Sequence, residues 1–255
     1  YAALSERCLR FDEELMADLT AVGGEAYARM CALAFRQTGA AHKLVTEFDG
    51  TPLYFSKENF SNGCIDTVDV TYPSSPFFLL FNPTLLKGQL IPILDYANMP
   101  RWRHPYAPHD LGTYPKANGQ VYGGGERSDK DQMPVEECGN MLLMVAAVCK
   151  TDGNAELAKK YWPVLTKWAN YLKEKGLDPE NQLCTDDFAG HLAHNTNLSV
   201  KATVALGGYA LLCDMLGKKA EPNPDRVDWV ETRNLAVDDP DLALRVMRAS
   251  SIVPS

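Results

Sequence analysis

The sequence predicts a mainly α-helical protein, organised as part of an α/α toroid with a small β-hairpin and long loops at the rim. Apolar residues make up 45% of the 255 residues, enough to fill the core of one large domain or two small ones. In the second half of the chain, segments that are apolar on every side alternate with an amphipathic segment. An inner ring of enclosed helices wrapped by an outer ring produces this alternation, whereas a four-helix bundle carries similar amphipathic stripes on every helix.

The first elements predicted are a helix and a hairpin. Apolar residues recur at helical spacing over residues 25–43, after a break at Gly23-Gly24. The pair Asp49-Gly50 lies between two short β-prone runs and is typical of a hairpin turn.

A polar segment, two apolar segments and a long loop follow. Residues 56–74 are polar without a regular period, so we expect them to be irregular. Residues 75–81 and 83–98 predict helices. Residues 99–132 are dense in Pro, Gly, Tyr and His and predict a loop. A loop of that length in a compact fold is usually functional.

Three helices are predicted in the second half of the chain. The first begins at Pro134, whose missing N–H costs nothing in a first turn, and is apolar on every side over residues 141–149. Residues 155–175 carry a single apolar stripe, with a kink expected at Pro163. Residues 197–216 are again apolar nearly all round. We therefore expect enclosed, outer and enclosed helices in that order.

The end of the chain is predicted to be a separate piece. Composition changes after Gly217, and residues 221–225 form a break rich in proline. Residues 227–255 contain one modest helical pattern. The predicted organisation is therefore a toroid region at residues 1–217 and a divergent segment at 218–255, for which an unrelated origin is one alternative.

Composition narrows the classes of partner. The formal net charge of -8 and the dispersed positive charges argue against nucleic-acid binding. No apolar run is long enough to predict a membrane span. The seven cysteines contain no C-x-x-C pair, so a zinc ribbon or redox motif has no support. We expect a small-molecule substrate, no nucleic acid and no membrane span.

Acidic side chains supply the catalytic candidates. Asp110, Glu136, Glu137, Asp186 and Asp187 all fall in loops or first turns that precede enclosed helices. Two acids whose surroundings push their pKa values apart can act as proton donor and water-activating base. For any one of them the alternative is a helix cap.

Other polar side chains supply further candidates. His109 next to Asp110 suggests an oriented acid–base pair, and the aromatic loop residues Trp102, Tyr106, Tyr114 and Tyr122 suggest stacking walls for a sugar or similar ligand. Because no metal-ligand spacing is found, we predict no metal and no cofactor.

Five motifs in order resemble the glutaminase A family. They are residues 55–63, 66–73, 108–115 and 133–140, and the polar cluster of residues 185–201. The resemblance covers residues 1–217 and implies the family's six-hairpin α/α toroid, normally preceded by a β-rich domain and exported, so an extracellular or periplasmic location. The toroid of the family continues further, which predicts a truncated region, with oligomerisation through uncovered faces and loss of activity as prospects.

The resemblance implies hydrolysis of glutamine to glutamate and ammonia. We expect one carboxylate among Glu136, Glu137 and Asp187 to activate water, while another acid or His109 protonates the leaving amine. Glycoside hydrolysis on the same toroid and a non-catalytic binding module are the alternatives. The substrate-binding candidates are Lys57, Asp69, Trp102, Tyr114, Asn140, Asp186, His194, Asn195, Asn197 and Lys201.

Overall fold

The computed structural model describes residues 1–58, 62–185 and 190–218. It divides into two units, residues 1–43 and residues 44–255. Helices make up most of the described chain, with one two-stranded sheet beside them. The predicted mainly α-helical class with a small hairpin is therefore confirmed.

The first unit is a helical hairpin. Helix α1 (Ala2–Ala40) is interrupted at Gly24, whose φ of 79° only glycine adopts without strain. The two arms fold back on each other, since the Phe11 and Phe35 ring centroids lie 5.4 Å apart and Arg36 pairs with Asp12 at 2.8 Å. The predicted break at Gly23-Gly24 is present, but the helix ends at Ala40 rather than at residue 43, and its first arm had not been predicted.

The hairpin joins β1 (His42–Thr46) to β2 (Pro52–Ser56). Gly50 adopts a φ of 92°, and the Asp49 carboxylate accepts from the Thr51 N–H at 2.8 Å. The predicted turn therefore lies where expected.

Helix α2 (Val68–Phe81) contains the predicted helix of residues 75–81 but begins at Val68, which corrects the expectation that residues 56–74 are irregular throughout. Pro73 and Pro76 lie inside it. Pro76 has no N–H to donate to the carbonyl of Tyr72 four residues earlier, and the Ser75 hydroxyl donates to that carbonyl instead, at 2.7 Å. The helix therefore continues through a residue that usually ends one.

Helix α3 (Pro83–Asn98) has the predicted bounds. It lies close against β2, since a Cβ on Gly88 would come within 2.8 Å of the Pro52 carbonyl. Residues 99–132 contain no helix or strand, as predicted.

Helix α4 (Pro134–Asp152) is the central element. It packs against α2, α3, α6 and α7 and buries side chains on every face. Its partners α6 (Trp162–Lys175) and α7 (Thr196–Met215) also pack against each other. The predicted enclosed helix therefore organises this unit.

The predicted single helix over residues 155–175 is wrong. The structure has a short α5 (Glu156–Lys160) and then α6, separated at Tyr161, so Pro163 lies in the first turn of a new helix rather than at a kink.

Helix α7 has the length and composition of a membrane span, although the sequence predicted no such run. Half of that stretch is buried inside the fold. Because the core helix of a soluble protein meets the same test, this feature does not establish a span.

Candidate active site

The candidate site lies at the amino-terminal end of α4. Glu136 and Glu137 occupy its first turn, and both are completely buried. Pro134 begins the helix, and the Val135 N–H donates to the Gln182 side chain at 2.9 Å. Two carboxylates are thus fixed side by side away from water, where charge interactions are strong.

The first carboxylate is surrounded by donors. Lys201 donates from Nζ to Glu136 Oε1, and the same oxygen accepts from Thr185 Oγ1 at 2.7 Å and Asn140 Nδ2 at 3.0 Å. Lys201 also donates to Asn140 Oδ1 at 2.9 Å. We call Glu136, Asn140, Thr185 and Lys201 the Glu136 cluster. Glu136 Oε2 is buried and has no hydrogen-bond partner in the described part of the chain.

Lys201 reaches Glu136 because α4 and α7 approach closely. A Cβ on Gly139 would lie 2.8 Å from Lys201 Cγ, so a side chain at that point of α4 would displace Lys201. The Lys201 ammonium also lies 4.7 Å from the centre of the Tyr72 ring, a cation–π distance. Lys201 was predicted to bind substrate, whereas in the structure its ammonium binds Glu136 and Asn140.

The second carboxylate lies near another acid and an imidazole. One ligand atom each of Asp69, His109 and Glu137 lies within 4.8 Å of the others, and Asp69 Oδ1 is 3.6 Å from His109 Nε2. We call these three residues the Glu137 cluster. Burial raises the pKa of Glu137 well above its usual value, and the negative charges of Asp69 and Glu136 add to the effect.

His109 is held in one orientation. Its Nδ1 lies 3.0 Å from Asp110 Oδ2. The Asp110 carboxylate also accepts from the backbone N–H groups of Gly112, Val121 and Tyr122 at 2.8–3.1 Å. A carboxylate with three backbone donors takes its remaining hydrogen bond from Nδ1–H, so we assign the tautomer that leaves a lone pair on Nε2. The Tyr122 ring stacks on the imidazole at 4.0 Å.

The structure brings seven of the predicted site residues together in these two clusters and their immediate support. They are Asp69, His109, Asp110, Glu136, Glu137, Asn140 and Lys201. The predicted catalytic Asp187 and substrate-binding Asp186 lie outside the described residues.

The remaining predicted residues have other surroundings. Trp102 corrects the prediction of a stacking wall, because it is buried and donates to the Tyr106 carbonyl at 2.8 Å. His194 is exposed and pairs with Asp178 at 2.6 Å. Asn195 caps α7 by accepting from the Leu198 N–H, and Asn197 is exposed in the first turn.

Lys57 and Tyr114 form a pair of their own, with the ammonium 4.9 Å from the ring centre. Lys57 is exposed and Tyr114 half-buried. Of the other two aromatic loop residues, Tyr106 is buried, and Tyr122 stacks on His109 rather than offering a surface of its own.

Thr185 and Tyr72 had not been predicted as site residues. Thr185 opens the polar cluster of residues 185–201, and Tyr72 lies in the motif at residues 66–73. Their presence in these motifs was the available signal, but their contacts to Glu136 and Lys201 cross long stretches of sequence.

Comparison with known proteins supports the resemblance. Residues 24–226 match the glutaminase A six helical-hairpin domain. Glutaminase A of Aspergillus oryzae is 38% identical over 218 residues, which cover 85% of this chain and 31% of the relative. A probable glutaminase of Arthroderma benhamiae is 32% identical, over 82% of this chain and 30% of the relative. The chain thus spans about a third of the length of these relatives, and it belongs to the glutaminase A family.

Proposed function

We propose that this protein is a hydrolase that converts the side-chain amide of L-glutamine into L-glutamate and ammonia by carboxylate-assisted attack of water. Both relatives are named as glutaminases. The observation that carries the proposal is the buried Glu136, whose one oxygen is held by donors while the other has no partner in the described chain. A carboxylate oriented in this way keeps one oxygen available to accept a proton.

The proposed step uses Glu136 as the group that moves the proton. Glu136 Oε2 accepts a proton from water as the water oxygen bonds to the amide carbon. The proton then passes to the amide nitrogen, the C–N bond breaks, and ammonia leaves the carboxyl product. Lys201 and Asn140 support this role because both contact the carboxylate that must be aimed.

The other predicted catalytic residues have different places in the proposal. Asp110 orients His109, and we assign no proton donation to His109 because its Nδ1 hydrogen is directed to Asp110. Asp187 remains a candidate second acid. The boundary near residue 217 and export from the cell also remain proposals from the resemblance.

The test is ammonia release from L-glutamine by the purified chain and its Glu136→Gln variant. We expect the variant to lose about 10²–10⁴-fold in rate, the usual contribution of a general base. Lys159→Ala, a change in an exposed ion pair on α5, is the control and should keep the parental rate. Equal rates for Glu136→Gln and the parent would reject the assignment. Sugar release from a glycan panel, without ammonia, would instead support glycoside hydrolysis.

A further inference from the structure

We propose that Asp69, His109 and Glu137 form a binding site for one divalent transition-metal cation, of the class of Zn²⁺ or Mn²⁺. The three residues come from α2, the long loop and α4, and their ligand atoms all lie within 4.8 Å of one another. The set is one imidazole nitrogen and two carboxylate oxygens, which suits such ions.

The separation of two of the ligand atoms fits one shared ion, and the third ligand atom lies within 4.8 Å of both. Oxygen and nitrogen ligands lie about 2.0–2.2 Å from zinc, so two ligands of one ion are separated by roughly 3–4.4 Å. His109 Nε2 and Asp69 Oδ1 are 3.6 Å apart. That separation is too long for a direct hydrogen bond between them and lies inside the range for a shared cation.

The imidazole is prepared as a metal ligand. Histidine ligands commonly donate their second ring N–H to a carboxylate, which fixes the tautomer and the ring orientation. His109 Nδ1 faces Asp110, which is fully buried and held by backbone N–H groups. The lone pair of Nε2 is therefore directed by a rigid support toward the two acids.

An independent observation comes from Glu137. Its Oε1 is buried and has no hydrogen-bond partner among the described residues, while its Oε2 accepts from Asn140 Nδ2 at 3.2 Å. The nearby ammonium of Lys201 contacts Glu136 and Asn140 rather than Glu137. A completely buried carboxylate without a cationic contact is costly, and a bound cation would remove that cost.

A second group of potential ligands shares His109 but is less suitable. Cys64, His109 and Asp110 also lie close together. Both oxygens of Asp110 already accept from backbone N–H groups, so this carboxylate has little capacity left for a cation. The cation is therefore assigned to Nε2 and the two acids.

Binding of the cation does not depend on the proposed function, but its use in catalysis would. Three protein ligands leave a position for water or a substrate oxygen, as in catalytic zinc sites. Asn140 Nδ2 donates to both Glu136 and Glu137, so the cation site and the proposed proton acceptor share one amide. The test below therefore measures binding without turnover.

The experiment is a calorimetric titration of chelator-treated protein with ZnCl₂ and with MnCl₂, together with a thermal melt at each point. We expect one saturable site and a rise in Tm. Glu137→Gln and Asp69→Asn should each weaken binding at least about 10-fold, and Asp110→Asn about 10–100-fold, as for other outer-shell carboxylates. Two conservative variants guard against the failure of one to fold.

The matched control is His194→Ala, which removes another histidine paired with an acid but leaves the Glu137 cluster intact. It should bind as the parent does. Absence of a one-to-one site, or parental affinity in both Glu137→Gln and Asp69→Asn, would overturn the proposal. Cation binding without ammonia release would contradict the proposed function alone, and ammonia release without cation binding would contradict the cation site alone.

Discussion

Glu136 and Glu137 are neighbours in one helical turn and are equally buried, yet their surroundings are opposite. The Glu136 cluster contains an ammonium, an amide and a hydroxyl that all donate. The Glu137 cluster brings together a second carboxylate and an imidazole nitrogen. Because successive residues on a helix point about 100° apart, one turn can supply two chemically distinct sites.

This difference indicates how the same residue type can be used in two ways. A buried charge with a partner is stable as it stands, whereas a buried acid beside a second acid is stabilised by a proton or by a bound cation. We infer that Glu136 needs no bound ion because its hydrogen-bond donors belong to the chain, and that Glu137 is arranged to bind a cation. Both inferences follow from the hydrogen-bond donors around each carboxylate.

The largest predicted effect on stability comes from removing the Lys201 ammonium from the Glu136 cluster. Lys201→Met leaves the Glu136 charge buried without its partner, which we expect to lower the free energy of unfolding by about 3–5 kcal/mol. Urea unfolding measures this. The double variant Glu136→Gln, Lys201→Met should recover more than half of the loss. A Lys201→Met variant as stable as the parent would show that the ion pair does not hold the cluster.

A smaller effect tests the close approach of α4 and α7. Gly139→Ala places a Cβ against the Lys201 side chain and should cost about 1–3 kcal/mol, because Lys201 must move away from Glu136. Gly207→Ala is the matched control, since it also lies inside a helix but has open space around it. That change should be neutral or stabilise by up to about 1 kcal/mol. Similar unfolding free energies for the two variants would contradict the packing argument.

A third buried carboxylate extends the comparison to pH. Asp66 is almost completely buried. Burial raises its pKa well above the usual value, and the Ser56 backbone N–H lowers that pKa by a smaller amount. Above pH of about 4 the unfolded chain releases this proton more readily than the folded chain, so rising pH destabilises the fold. Asp66→Asn should therefore gain stability relative to the parent as pH rises, by at most about 1.4 kcal/mol per pH unit.

Thermal melts between pH 4.5 and about 8 measure this difference. Asp131→Asn is the control, because Asp131 has the same left-handed φ of 57° but an exposed side chain. A gain for Asp66→Asn that does not change with pH would show that the carboxyl charge is not the cause.

Apolar periodicity predicted the helices in which apolar spacing and proline position agree. It failed where a proline lies at a place that the spacing does not indicate. The bounds of α3 and the start of α4 were predicted because proline and apolar spacing agree there. The start of helix α2, residues 68–74, was missed because this polar stretch has no regular apolar period and contains Pro73. The interruption at Tyr161 lies two residues before the kink expected at Pro163, because Pro163 lies in the first turn of α6.

The candidate site was predictable only where its residues lie close together in the sequence. Glu136 and Asn140 are four residues apart on one helix, so their contact follows from spacing. Asp69, His109 and Glu137 come from three distant segments, and no ligand spacing in the sequence can reveal their meeting. The prediction that no metal is bound rested on spacing alone, and the structure now supplies the reason to test it.

The most direct measurement is an anomalous difference map at the zinc absorption edge, from crystals grown with ZnCl₂. We predict one peak about 2.0–2.2 Å from Asp69 Oδ1, His109 Nε2 and a Glu137 oxygen, and none at Glu136. A map without a peak there, in which Glu137 instead makes a direct hydrogen bond to Asp69 or His109, would show that a proton fills the Glu137 cluster and would contradict the account.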